Sequence, residues 1–94
     1  MKLIAMAAVA SIALVSAGAA GAQEALAKSS GCLNCHAVDT KKMGPSFKDI
    51  SAKYKGQADA QATLEAKLSS GKGHPPVKAS ADDVKSLVKW VLSQ

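Results

Sequence analysis

The chain has 94 residues, a formal net charge of +5 at pH 7 and a single residue each of Phe, Tyr and Trp. Its basic residues are all lysine, and the absence of arginine and of any aromatic-basic cluster argues against nucleic-acid binding. A modest lysine excess instead favours an acidic protein partner.

The first segment is typical of a secretory signal peptide. A short basic start and an uncharged apolar run over residues 3–17 are followed by small residues at Ala20-Gly21-Ala22, where a signal peptidase would cleave. The alternative is a retained membrane anchor, because the run is about long enough to span a bilayer. We predict a signal peptide over residues 1–22 and one domain over residues 23–94, located in the periplasm and free of the membrane after cleavage.

The predicted domain needs something besides apolar side chains to hold it together. Below roughly 70–80 residues, a chain rarely buries enough surface to fold without a staple such as a metal or a disulfide. A short helix is predicted around residues 24–30. It leads directly into Cys32-Leu33-Asn34-Cys35-His36, which contains both cysteines of the chain.

This five-residue run is the attachment signature of haem c. Two thiols at this spacing can each add to one vinyl group of a haem, and the adjacent histidine is then directed at the iron from the same face. The motif therefore predicts one haem c, bound covalently through Cys32 and Cys35, with His36 as an iron ligand.

Three other interpretations of the motif remain open. The two cysteines could form a disulfide, although so short a loop would stabilise the fold little. They could be a thioredoxin-like redox pair, but that assignment requires a βαβ pattern that the sequence lacks. They could also join His36 and His74 around zinc, although adjacent Cys35 and His36 seldom both reach one tetrahedral ion.

The remainder of the chain shows helical periodicity and no strand alternation. Apolar or aromatic residues at positions 47, 50 and 54 predict a helix after the break at Gly44-Pro45. The next helix is predicted to be capped by Asp59 and to end at Ser70-Gly71, where a Gly- and Pro-rich loop follows.

The last helix has the clearest pattern. Ser80 followed by Asp83 resembles a capping box. One apolar stripe follows, with Trp90 flanking it, and its members are Val84, Leu87, Val88, Val91 and Leu92. The prediction is a small all-α fold with about four short helices wrapped around one haem.

Four runs of sequence carry a family resemblance: residues 32–39, 42–50, 54–56 and 87–93. Together they resemble the small bacterial class I cytochromes c of the c-551/c-8 type. The resemblance implies a periplasmic one-electron carrier that is not an enzyme, with its N- and C-terminal helices crossing beside the haem. It also implies that the Pro45 carbonyl accepts a hydrogen bond from the ring of His36, which fixes the tautomer and orientation of that ligand.

The chain departs from the family where a Met normally supplies the sixth iron ligand. His74-Pro75-Pro76 stands at that place, and the segment before it is shorter and lacks the family Trp. Met43, the only Met of the predicted domain, matches a non-ligand position. We therefore predict bis-His ligation by His36 and His74 and a low potential, because a second imidazole stabilises ferric iron better than a thioether. The alternative for His74 is an exposed loop histidine.

Larger redox proteins are the predicted partners, as electron donor and acceptor. The lysines that flank the two ligand segments could steer such a partner, or they could simply belong to a solvated surface; they are Lys41, Lys42, Lys72 and Lys78. The alternative function is a haem protein that binds or senses a gas or peroxide when His74 dissociates.

Overall fold

The computed structural model describes residues 16–94, so most of the apolar run assigned to a signal peptide lies outside the described residues. The helices, in chain order, are α1 (Ser16–Ser29), a 3₁₀ helix (Cys32–Asn34), α2 (Phe47–Tyr54), α3 (Ala60–Ser70) and α4 (Ala81–Leu92). Residues 16–94 contain no strand. The predicted all-α fold with four short helices is confirmed.

Helix α1 begins earlier than the predicted start and runs through the predicted cleavage position after Ala22. Its early part is rich in alanine, the residue with the highest helix propensity, so the helical backbone extends upstream of the packed part. The residues that contact the core, Leu26 and Ala27, lie downstream of that position. Between residues 16 and 94, no helix is both long and apolar enough to cross a membrane.

Helix α4 is the centre of the fold, and it packs against α1, α2 and α3. Ala27 of α1, Phe47 of α2, and Leu87 and Trp90 of α4 form one buried cluster. The rings of Phe47 and Trp90 meet edge to face at 5.2 Å and 70°, an arrangement that aromatic pairs prefer. The implied packing of the terminal helices is therefore present, and Trp90 is a core residue.

The caps explain why two of these helices begin where they do. The Ser80 hydroxyl accepts a hydrogen bond from the backbone N–H of Asp83 at 3.1 Å, as the sequence predicts. Ser46 does the same for Asp49 at 3.1 Å, a cap that our sequence interpretation missed. Asp59 precedes α3, but its side chain makes no capping bond, because its φ and ψ of −96° and 4° are not the extended values of a side-chain cap.

Candidate functional site

The cysteine motif folds as a tight turn that presents its side chains to one cavity. Gly31 precedes the turn with φ 84°, a left-handed conformation that glycine adopts without strain. The backbone N–H groups of Cys35 and His36 both donate to the carbonyl of Cys32, at 3.3 and 3.0 Å. As a result, Cys32, Cys35 and His36 all line the same cavity.

The two cysteines are not bonded to each other, and both are partly buried. Burial raises the pKa of Cys32, and a hydrogen bond to its own backbone opposes that effect. The structure therefore does not support the disulfide alternative. Within residues 16–94, no group of three or more His, Cys, Asp and Glu side chains could hold a metal ion, so the zinc alternative has no support either.

The ring of His36 is held by the segment that follows it. Its Nδ1 lies 2.6 Å from the carbonyl oxygen of Pro45, the contact that the family resemblance implies. Because a carbonyl only accepts, Nδ1 carries the proton and Nε2 is the nitrogen left free to bind a metal. The ring of Phe47 lies on another side of the imidazole, with 5.3 Å between the ring centroids and 25° between the ring planes.

Backbone hydrogen bonds join residues 35–38, which include His36, to residues 44–48. The N–H of Gly44 donates to Cys35 at 2.8 Å, the N–H of Phe47 donates to Ala37 at 2.9 Å, and that of Lys48 donates to Val38 at 3.0 Å. Since Phe47 also belongs to the buried cluster, the position of His36 is coupled directly to the hydrophobic core.

His74 approaches the cavity from the loop between α3 and α4. Gly71 and Gly73 both adopt left-handed conformations, with φ 76° and 75°, and the N–H of Val77 donates to Leu68 at 2.8 Å to close the loop. The Nδ1 of His74 lies 2.6 Å from the Pro75 carbonyl oxygen. This ring, too, presents Nε2 as its free nitrogen.

The two histidines, far apart in sequence, face each other across the cavity. Their ring centroids are 6.0 Å apart and their planes differ by 3°. The cavity has a volume of about 550 Å³, within the range of small-molecule and cofactor sites. Most of the side chains facing it are apolar, including Ile50, Leu64, Leu68, Leu87, Val88 and Val91. A flat, largely apolar haem fits this combination of cavity, thiols and imidazoles.

Two charged residues also lie at the cavity. Lys53 and Lys67 line it, and sequence reasoning missed both. The lysines predicted for partner docking are exposed but do not line the cavity; they are Lys41, Lys42, Lys72 and Lys78. Met43 also borders the cavity and is 87% exposed. A second, more open groove of about 600 Å³ contains neither cysteine nor histidine.

Comparisons with known proteins show the family of the chain. The family model of cytochrome c matches residues 19–94. The chain is 45% identical over 78 residues to cytochrome c-551 of Pseudomonas aeruginosa, covering 76% of this chain and 75% of the relative. It is 40% identical over 89 residues to cytochrome c-552 of Nitrosomonas europaea, covering 86% of each.

Solved structures give the same result. The class 1 cytochrome MtoD from Sideroxydans lithotrophicus ES-1 superposes with a TM-score of 0.72 at 39% identity, over 78% of this chain and 92% of that chain. Cytochromes c of this type carry electrons between redox proteins and are not enzymes. The chain belongs to the cytochrome c family, as a monohaem electron carrier that binds its haem c covalently through Cys32 and Cys35.

Proposed function

We propose that this cytochrome is a periplasmic carrier of single electrons in which His36 and His74 are the two axial ligands of the haem. The observation that carries the proposal is the parallel pair of rings, 6.0 Å apart, on the cavity that both cysteines border. Metal–imidazole bonds are about 2 Å long, so two rings that share one metal ion have centroids roughly 6 Å apart. The bound haem supplies a reversible one-electron change at its iron.

The two histidines are oriented in the same chemical way. Each Nδ1 lies 2.6 Å from a prolyl carbonyl, Pro45 for His36 and Pro75 for His74. A hydrogen bond at this nitrogen raises the basicity of the ring as a metal ligand. Two basic imidazoles stabilise ferric iron, and we therefore expect a lower reduction potential than in Met-ligated relatives.

Substitution of the distal histidine tests the ligand assignment. In His74→Ala we expect the ferric haem to change from low spin to high spin, and added imidazole to restore the low-spin spectrum. Lys72→Gln, in the same loop, is the matched control and should keep the wild-type spectrum. A wild-type protein that is already high spin at neutral pH would contradict the proposal.

A redox titration tests the potential separately. We expect a midpoint potential clearly below that of a Met-ligated cytochrome c-551 measured under the same conditions. His74→Met should raise the potential if its thioether binds, because sulfur favours ferrous iron. A wild-type potential equal to that of the Met-ligated protein would contradict bis-His ligation.

The alternative of a gas- or peroxide-binding protein gains no support from the relatives, which are named c-551 and c-552 cytochromes. Carbon monoxide discriminates the two functions. Slow or negligible binding to the ferrous protein is expected of a carrier whose sixth position is filled. Rapid binding would favour the alternative.

Export can be tested on the protein itself. We expect the haem-loaded protein in the periplasmic fraction, with a mass that corresponds to a chain starting at Gln23 plus one haem. A chain that keeps residues 1–22 and sediments with membranes would show that the segment is an anchor.

We also propose that Lys41, Lys42, Lys72 and Lys78 steer an acidic redox partner towards the haem. All four are exposed, and they flank the two segments that carry His36 and His74. Electrostatic steering raises association rates and weakens with salt. The observable is therefore the rate of electron transfer to an acidic partner as a function of ionic strength.

The matched control for this surface is on α4, where Lys85 and Lys89 are exposed and do not line the cavity. Replacing the four steering lysines by glutamine should lower the rate several-fold at low salt and flatten its salt dependence. Replacing Lys85 and Lys89 should change it less. Equal effects would indicate a generally solvated lysine surface.

A further inference from the structure

Gly44 lies against the ring of His36 so closely that no side chain fits between them. A Cβ atom at this position would lie 2.5 Å from Cε1, 2.9 Å from Nδ1 and 3.1 Å from Nε2 of the imidazole. Carbon atoms do not pack at such a distance. Such an atom would lie over the face of the ring, close to Cε1 and to both nitrogens, and therefore beside both the hydrogen-bonding and the metal-binding atom.

The backbone conformation does not explain why residue 44 is glycine. Gly44 has no positive φ, so any residue could adopt its conformation. The glycines that do have a positive φ are Gly31, Gly56, Gly71 and Gly73. What is particular to Gly44 is the space that its missing side chain leaves for the imidazole.

Neither side of this contact can move away freely. The N–H of Gly44 donates to Cys35 at 2.8 Å, which fixes the backbone. The imidazole is held at Nδ1 by Pro45, at 2.6 Å, and has Phe47 at 5.3 Å on another side. An added methyl group would therefore have to turn the ring or displace the backbone that carries the Pro45 carbonyl.

We infer that Gly44 is a positioning residue, which sets the orientation of the His36 ring and the length of its hydrogen bond to Pro45 and thereby tunes the reduction potential. The inference rests on the proposed role of His36 as an iron ligand. Either displacement lengthens the bond between Nδ1 and the carbonyl. A weaker bond makes the imidazole less basic, so ferric iron loses stabilisation and the potential rises.

The test is Gly44→Ala, with Gly56→Ala as the matched control. Gly56 has φ 79°, and a Cβ atom added there would have nothing within 4 Å, so its substitution strains the backbone without touching the imidazole. Both holoproteins are compared with the wild type by redox titration, by the paramagnetic NMR shifts of the haem methyl groups and by thermal unfolding.

For Gly44→Ala we expect changed haem methyl shifts and a more positive potential. The ferric-to-ferrous ratio at a fixed ambient potential should fall by up to about tenfold, which corresponds to about 59 mV for one electron. For Gly56→Ala we expect a lower Tm with unchanged methyl shifts and potential. If Gly44 had a purely structural role, Gly44→Ala would also lower the Tm and leave the methyl shifts and the potential unchanged. That result would overturn the inference.

Two further outcomes are decisive. If Gly44→Ala yields no holoprotein, Phe47→Leu is added so that the imidazole ring has space to move. Recovery of holoprotein with a shifted potential supports the inference, and no recovery overturns it.

The expected effect of Gly44→Ala depends on His36 and not on His74. A failure of bis-His ligation, seen in the wild-type spin state, is therefore distinguishable from a failure of this inference.

Discussion

The two sides of the haem cavity are built in different ways. The proximal segment, residues 32–48, is tied together by backbone hydrogen bonds and reaches the buried cluster through Phe47. The distal loop, residues 71–77, follows α3, turns at two left-handed glycines and is closed by the hydrogen bond from the N–H of Val77 to the carbonyl of Leu68. The comparison indicates that the position of His36 and the stability of the core are coupled, and that the position of His74 can vary more independently.

The largest effect is expected where that coupling is strongest. Phe47 is 2% exposed and contacts both His36 and Trp90. Phe47→Ala should lower the free energy of unfolding by about 3–5 kcal/mol, through lost burial and a cavity. Guanidinium unfolding followed by circular dichroism measures this, with Phe47→Leu expected to cost less. A loss below about 1 kcal/mol would show that His36 and the core are not coupled through this ring.

A distal substitution should have an effect that is smaller and local. Gly73 has φ 75° and nothing within 4 Å of a Cβ at that position, so Gly73→Ala adds about 1–2 kcal/mol of backbone strain. Under the proposed ligation, that strain should weaken the bond of His74 and speed the entry of added imidazole or carbon monoxide.

The control for this prediction is Gly56→Ala, which carries the same kind of strain outside the loop, at φ 79°. It should lower the Tm and leave ligand entry unchanged. Faster entry in both variants would mean that the distal loop opens with the whole fold rather than by itself.

The smallest effects on stability are expected from two serine caps that make the same kind of hydrogen bond. Ser46 caps α2 on the proximal side and is 3% exposed, whereas Ser80 caps α4 after the distal loop and is exposed. Substitution of a capping serine by alanine costs about 0.5–2 kcal/mol. We expect Ser46→Ala near the upper end and Ser80→Ala near the lower end in chemical unfolding. The reverse order would contradict the closer coupling of the proximal side to the core.

Much of the fold could be predicted because its signals are local. The haem motif is five contiguous residues, and the stripe of α4 follows from helical spacing alone. The Ser46 cap has a local signal too, because Ser46 and Asp49 repeat the spacing of Ser80 and Asp83, but the sequence interpretation overlooked it. The predicted start of α1 is too late, because the prediction did not weigh the high helix propensity of the alanine-rich residues before it.

Other features of the site depend on packing between distant segments. Lys53 and Lys67 line the cavity only because α2 and α3 turn particular faces towards it, which a net charge cannot indicate. The space at Gly44 is defined by the ring of His36, so the sequence shows a glycine without its reason. The pairing of His36 with His74 required the family resemblance, because no local pattern links them.

The parallel arrangement of the two imidazoles has a magnetic consequence. Their planes differ by 3°, so under the proposed ligation both imidazoles would donate π-electron density to the iron along the same direction. In a low-spin ferric haem this separates the energies of two iron d orbitals and confines the unpaired electron to one of them. The electron paramagnetic resonance spectrum should then be rhombic, whereas perpendicular rings would give a strongly axial signal. The shape of this spectrum would therefore report the angle between the two imidazole planes.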